Sequence, residues 1–151
     1  MRLRRIGYWT AGPGDMRGLP DPGDFVDHGW DEDDRYVVQT YLQYGTYFRR
    51  YRGFSPCRIC GKSNGSGELT DGVLAWPEGL AHYVSEHHVR LPKVIEAYIL
   101  RQAARVEGAV VDDSWWSAGA PDPGSVGDPL LEASEQCRSP LTAGPAESVC
   151  Q

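Results

Sequence analysis

No stretch of this sequence approaches the roughly 18–20 consecutive apolar residues that a membrane-spanning helix needs, which excludes a helical membrane protein. A secretory leader is not expected either. The N-terminal MRLRRIGYW is basic, but its apolar stretch ends at Thr10 and Pro13 follows, too short for a signal peptide's apolar region. The chain reads as cytoplasmic. No internal repeat is visible. Cysteine is scarce, 4 in 151 residues, and a reducing compartment supports no disulfide framework, so Cys137 and Cys150 read as free thiols. The C-terminal part also lacks positive charge. Residues 109–151 hold one basic residue, Arg138, against seven acidic ones, whereas residues 1–52 hold eight of each sign and 53–108 six of each. The whole net charge of −6 therefore belongs to that segment. A neutral body with an acidic tail lacks the usual electrostatic footprint of a nucleic-acid binder, leaving room only for a local basic patch.

What is present divides into two parts, a domain over residues 1–110 and a tail over 111–151. From Asp112 onward the chain is rich in Pro, Gly, Ser and acidic residues. It cannot bury enough apolar surface to offset its chain entropy, and reads as disordered. Trp115 and Trp116 are the exception. They are expected to fold back onto the domain, the alternative being an exposed anchor for a partner.

Within the domain, residues 1–10 suit a short strand and 11–30 an irregular wrap, with Leu19, Phe25, Val26 and Trp30 as buttons onto a core. Asp31 is an N-cap, Glu32 and Asp33 complement the helix dipole, and Gly45 ends the helix. Residues 46–54 (TYFRRYRGF) alternate as a strand. Asp71-Gly72 between Glu68-Leu69-Thr70 and Val73-Leu74-Ala75-Trp76 predicts a two-residue hairpin. Pro77 suits the first turn of a helix bearing Leu80, Ala81, Val84 and His87 on one face. Pro92 opens a last helix with Val94, Ile95, Tyr98, Ile99, Ala103 and Val106 on its apolar stripe, and Gly108 stops it. The expected fold is small α+β: an antiparallel sheet with a zinc knuckle and flanking helices.

Chemistry concentrates between residues 55 and 90. Cys57 and Cys60 form Cys-x-x-Cys, preceded by Pro56 and followed by Gly61. Two thiolates on such a turn can face one zinc ion at about 2.3 Å. His82 follows, then His87 and His88, at spacings within the range of natural zinc sites. On a regular helix of 100° per residue neither second histidine shares a face with His82. The shorter spacing needs less unwinding of the last turn and favours His87, leaving His88 as a solvated or supporting residue. The implied ligand set is Cys57, Cys60, His82 and His87, and the implied cofactor is Zn2+.

This order of cysteine knuckle, hairpin and histidine-bearing helix resembles a zinc finger of the treble-clef kind over about residues 55–88. The resemblance implies that both cysteines form the knuckle pair and that His82 and His87 are the helix pair. One departure is that His82 falls in the second helical turn if the helix begins at Pro77. Another is a gap longer than in the two-cysteine, two-histidine DNA-binding finger, which argues against a major-groove role. The block ELTDG…WPEGLAHY also resembles one in small bacterial proteins, and no activity comes with that likeness.

Several enzyme patterns are incomplete. Pro56, Cys57 and Cys60 with His28 upstream suit a zinc deaminase, but Trp30 stands where the catalytic glutamate belongs. His82 to His87 around Glu86 fits neither spacing of the metalloprotease motifs. Three functional readings remain. The first is a non-enzymatic adaptor or regulatory module with a structural zinc, contacting a protein partner. The second is a zinc enzyme with an open coordination position and Glu78, Glu86 or His88 as base. The third is a nucleic-acid binder through Arg49, Arg50 and Arg52, interleaved with Tyr47, Phe48 and Tyr51. Against the third stands the expectation that those aromatics pack into the core while the arginines face solvent or pair with Asp31–Asp34.

Overall fold

A computed structural model describes residues 2–120. The tail from residue 121 onward, with Arg138, Cys137 and Cys150, lies outside the described residues. Residues Arg2–Gly108 form one compact unit, and the described residues from Ala109 onward belong to a second. The second holds α4 (Ser114–Ser117), in which the Trp115 and Trp116 rings lie 6.1 Å apart.

The first unit is α+β. A two-residue strand β1 (Arg4–Arg5) and a short 3-10 turn (Pro22–Phe25) precede α1 (Glu32–Gln43). Strands β2 (Thr46–Arg50), β3 (Gly67–Thr70) and β4 (Leu74–Pro77) follow, then α2 (Leu80–His87) and α3 (Lys93–Glu107). The strand order is β1-β4-β3-β2. Three strands are antiparallel, as expected, but β1 runs parallel to β4, with Arg4 opposite Leu74 and Arg5 opposite Ala75. The sheet is therefore mixed. The N-terminal segment reaches it after a long excursion of the chain, so its direction is not constrained by a tight turn.

Asp31 caps α1 as expected, its side chain accepting from the Asp34 amide at 3.0 Å. The core beneath the sheet contains Leu42, Leu69, Trp76, Leu80, Val84 and Ile99, each no more than 1% exposed. The Trp76 indole donates to the Leu42 carbonyl at 2.9 Å, which satisfies its one polar atom inside that core. Of the stripe expected on α3, Ile95 and Ile99 are buried, whereas Val94 and Val106 are exposed. Glu96 is buried instead, because Arg90 and the Trp30 indole both donate to its carboxylate. Val26 is more exposed than a core button, although its backbone bridges Val89.

Two local corrections bear on the site. Thr70 lies opposite Ala75, not Val73, so the hairpin connection is longer than two residues. The Asp71 side chain makes this turn by accepting the Val73 and Leu74 amides. The register also carries the ladder on to Pro77, which ends β4 opposite Glu68 and does not start a helix. Gly79 becomes the N-cap of α2, moving the helix start to Leu80.

Gly79 has no room for a side chain: an added Cβ would meet the Asn64 carbonyl oxygen at 2.2 Å and Asn64 Cγ at 2.3 Å. The Asn64 amide nitrogen also donates to the Gly79 carbonyl at 3.0 Å. We therefore expect Gly79→Ala to cost about 1–3 kcal/mol through overpacking. Chemical denaturation checks this; a midpoint equal to wild type would show that the contact relaxes freely.

Candidate metal centre

The segment leading into the site is built by backbone pairing. The chain from β2 stays stitched to residues 64–66: the Tyr51 amide donates to the Ser66 carbonyl, the Ser55 amide to Gly65, and the Asn64 amide back to Ser55. Pro56 and Ser63 then bridge, and the Cys57 amide donates to the Lys62 carbonyl at 2.8 Å. The turn closes when the Gly61 amide donates to the Cys57 carbonyl at 2.9 Å. Gly61 has φ +72, a left-handed conformation in which a side chain is strained. The cysteine pair thus sits on a tight reversal.

The facing wall is α2. Leu80 and Val84 are fully buried against the core and fix the helix's rotation. His82 lies in the first turn of the helix, not the second, because the helix begins at Leu80. The angle separating His82 from His87 is resolved at the C-terminus. His88 takes a left-handed conformation, φ 53, and its amide returns to the Tyr83 carbonyl, as does that of Val89 at 3.1 Å. Closure onto a carbonyl five and six residues back widens the final turn, so His87 swings toward His82.

The four residues named from the sequence come together. Cys57, Cys60, His82 and His87 each offer a ligand atom, all within 4.8 Å of one another, close enough to hold a metal ion. Cys60 Sγ lies 3.3 Å from His82 Nε2, and the two histidine Nε2 atoms are 3.2 Å apart. The imidazole rings meet edge to face at 82°. Cys57 is buried, Cys60 is exposed and the histidines are half-buried. Burial lowers the His82 pKa, and the neighbouring His87 lowers it further; both favour the neutral imidazole that a metal requires. His88 lies apart, its ring 5.0 Å from that of His28. Neither histidine joins the cluster.

Tyr83 was not singled out by sequence, yet it joins the two walls. It packs with Cys57 and Val89, with Trp9 and Phe25 alongside. Its hydroxyl accepts the Arg58 amide at 2.7 Å, which fixes the knuckle beside Cys57. Burial pushes the hydroxyl up to about 12 despite that bond, and Cys57 adds to the shift. The available signal was position, since Tyr83 follows His82 directly and shares the knuckle-facing side of α2.

The residues considered as bases are placed otherwise. Glu86 is exposed on α2. Glu78 is fully engaged, with Tyr47 donating at 2.5 Å and the Ser66 and Gly67 amides at 2.9 and 3.1 Å. The Tyr47 hydroxyl and those amides hold its carboxyl below the usual glutamate value.

The aromatic and arginine strip also differs from expectation. Only residues 46–50 form a strand, and every one is exposed. Tyr47, Phe48, Tyr51 and Phe54 are 43, 36, 53 and 72% exposed and do not pack into the core. Arg49 faces Glu68 at 3.7 Å, not the Asp31–Asp34 cluster, and Arg50 lies over the Tyr47 ring.

Because the Glu78 carboxyl is depressed in the fold, its contribution to stability is present above the ordinary glutamate range and is lost as pH falls through the lowered value. Acid titration of thermal melting should therefore show a steeper loss for wild type than for Glu78→Gln. Parallel acid limbs would mean that Glu78 is not held as described. No protein-family model, curated protein or solved structure matches this chain, so its function is read from the geometry of the site.

Proposed function

We propose that the cluster holds one zinc ion in a closed, structural site, and that the chain is a non-enzymatic, treble-clef-like module serving as an adaptor or regulator. The observation that carries this reading is the spacing of the ligand atoms. A tetrahedral ion with Zn–N of about 2.0–2.1 Å and Zn–S of about 2.3 Å sets edges of about 3.3 Å between nitrogens and about 3.5 Å between sulfur and nitrogen. The distances of 3.2 and 3.3 Å are near those edges before any ion is considered. Two thiolates with two imidazoles are also a donor set suited to zinc.

Four protein ligands leave no coordination position for a reactive water, which favours a structural role over hydrolysis. Bound there, the ion would tie the knuckle to α2, where the apolar cluster contains only Cys57, Tyr83 and Val89 as buried members. Metal binding then becomes folding energy for this end of the domain. The first helical ligand in the first turn of α2 also removes the main departure from the treble-clef pattern.

The adaptor reading rests on β2. Among the described residues it is an edge strand paired only with β3, with exposed aromatic side chains along it. Open edges and exposed aromatic surface are features that partners use.

Freshly purified protein made without chelator is expected to contain one zinc per chain by elemental analysis. A chelator should lower its melting temperature, and Cys57→Ser or Cys60→Ser should lower it further and abolish the chelator response. Absence of metal, or melting curves insensitive to chelator, would overturn the structural ion. We also propose that residues 111–151 are a separate acidic tail. Removal of residues 112–151 should leave zinc content and the melting curve unchanged; a large drop in either would place the tail within the folding unit.

A further inference from the structure

Beside the knuckle, and distinct from the metal ligands, a cleft of about 530 Å³ opens between the N-terminal segment, the chain after β2 and the start of α2. That volume is within the roughly 300–1,000 Å³ typical of small-molecule sites. Its lining carries four arginines, Arg5, Arg17, Arg52 and Arg58, against a single carboxylate, Glu68. Arg5 is tied to Glu68 at 3.2 Å and Arg17 to Asp15 at 2.7 Å. Arg52 and Arg58 have no carboxylate partner among the described residues. Two cationic groups are thus left free at the rim of a cleft in a domain that is otherwise neutral.

The same lining presents ring faces. Tyr51 and Phe54 are 53 and 72% exposed, and Tyr8 and Trp9 also line the cleft. Such exposed rings gain from stacking on a planar ligand.

A second, independent observation comes from the cleft floor. Glu68 is 4% exposed, and both Arg5 and Tyr8 donate to its Oε1. Its Oε2 has no hydrogen-bond partner and lies 3.7 Å from Arg49, beyond hydrogen-bond reach. The Trp9 indole N–H is likewise buried without an acceptor. Buried polar atoms left unused are costly and uncommon in native proteins. Both residues line the cleft.

We propose that this cleft binds a nucleotide. Arg52 and Arg58 contact its phosphate, and Tyr51 and Phe54 stack on its base. Phosphate accounts for the cations and a planar ring for the exposed faces. An acidic peptide would account only for the first. Arg58 also belongs to the knuckle, its amide held by Tyr83, so the phosphate end of the cleft is set by the same turn that bears Cys57 and Cys60. The proposal does not depend on which ion the cluster holds.

Isothermal titration of the full chain, with its metal content measured in parallel, tests this. The probes are adenosine and guanosine 5′-monophosphate, a short single-stranded oligonucleotide, inorganic phosphate and an acidic peptide. Base-bearing probes should bind, more weakly as salt rises. Arg52→Ala/Arg58→Ala should weaken them roughly tenfold or more. Phe54→Ala should weaken them roughly tenfold while leaving inorganic phosphate unchanged. Arg50→Ala, outside the cleft, should bind as wild type does. Equal affinity for monophosphate and oligonucleotide assigns the cleft to a free nucleotide, and a tighter oligonucleotide assigns it to a strand; either supports the proposal. Wild type that binds no base-bearing probe overturns it. So does an acidic peptide that binds as tightly, or cleft variants with wild-type melting curves and wild-type binding.

Discussion

The rotational setting of α2 is the constraint on which this end of the molecule depends. Leu80 and Val84, one turn apart, are both fully buried against the layer that contains Leu42, Leu69 and Trp76. A short helix clamped in this way has no freedom to roll. At 3.6 residues per turn, His82 then lies on the opposite side and Tyr83 on the flank that meets the cysteine turn. The hairpin sets the remaining distance. Gly67 accepts the Glu78 amide at 2.8 Å immediately before the helix, so the ladder runs almost to the N-cap. Core packing and strand register thus place two imidazoles opposite two sulfurs, before any electrostatic term acts.

Much of this was legible in the sequence because the signals were local. Cys57, Cys60 and Gly61 specify a turn by their own chemistry, and Asp31 specifies a cap. The preference for His87 over His88 also followed from local geometry, since the helix had only to loosen at its end. Its left-handed close at His88 supplied that loosening. Misreadings arose where tertiary context decided. Pro77 is acceptable both at a helix start and at the end of a strand, and the pairing of Glu68 opposite it settled the choice. Glu96 lies outside the apolar stripe read from the sequence, and is buried because Arg90 and the distant Trp30 close around it. The strip from Tyr47 to Phe54 alternates as a half-buried strand should, yet among the described residues no layer buries either of its faces. Periodicity reports that a segment can be amphipathic, not that a second surface exists to cover it.

The same distinction explains why the sequence showed only a part of the cleft, Tyr51 and Arg52 of the aromatic and arginine strip. Its components come from residues 5–19, 51–58 and 64–83, and no spacing rule connects them. Glu68 gathers them. Lying at the centre of the sheet with Arg5, Tyr8 and Arg49 around it, its carboxylate draws the N-terminal segment against β3. A buried acid compensated in this way adds little net stability, but it fixes which side chains stand beside it.

The direction of the first strand has a kinetic corollary. Arg4 and Arg5 find their partners at Leu74 and Ala75, whereas β3 and β4 are neighbours along the chain. Closing so long a loop costs more entropy than closing a hairpin, and contacts between distant residues form slowly. During synthesis Arg4 and Arg5 emerge before the hairpin but must wait for it before they can dock. Residues made before the hairpin thus reach their final places after it, and the wall bearing Arg5, Tyr8 and Trp9 is completed only once β4 is in place.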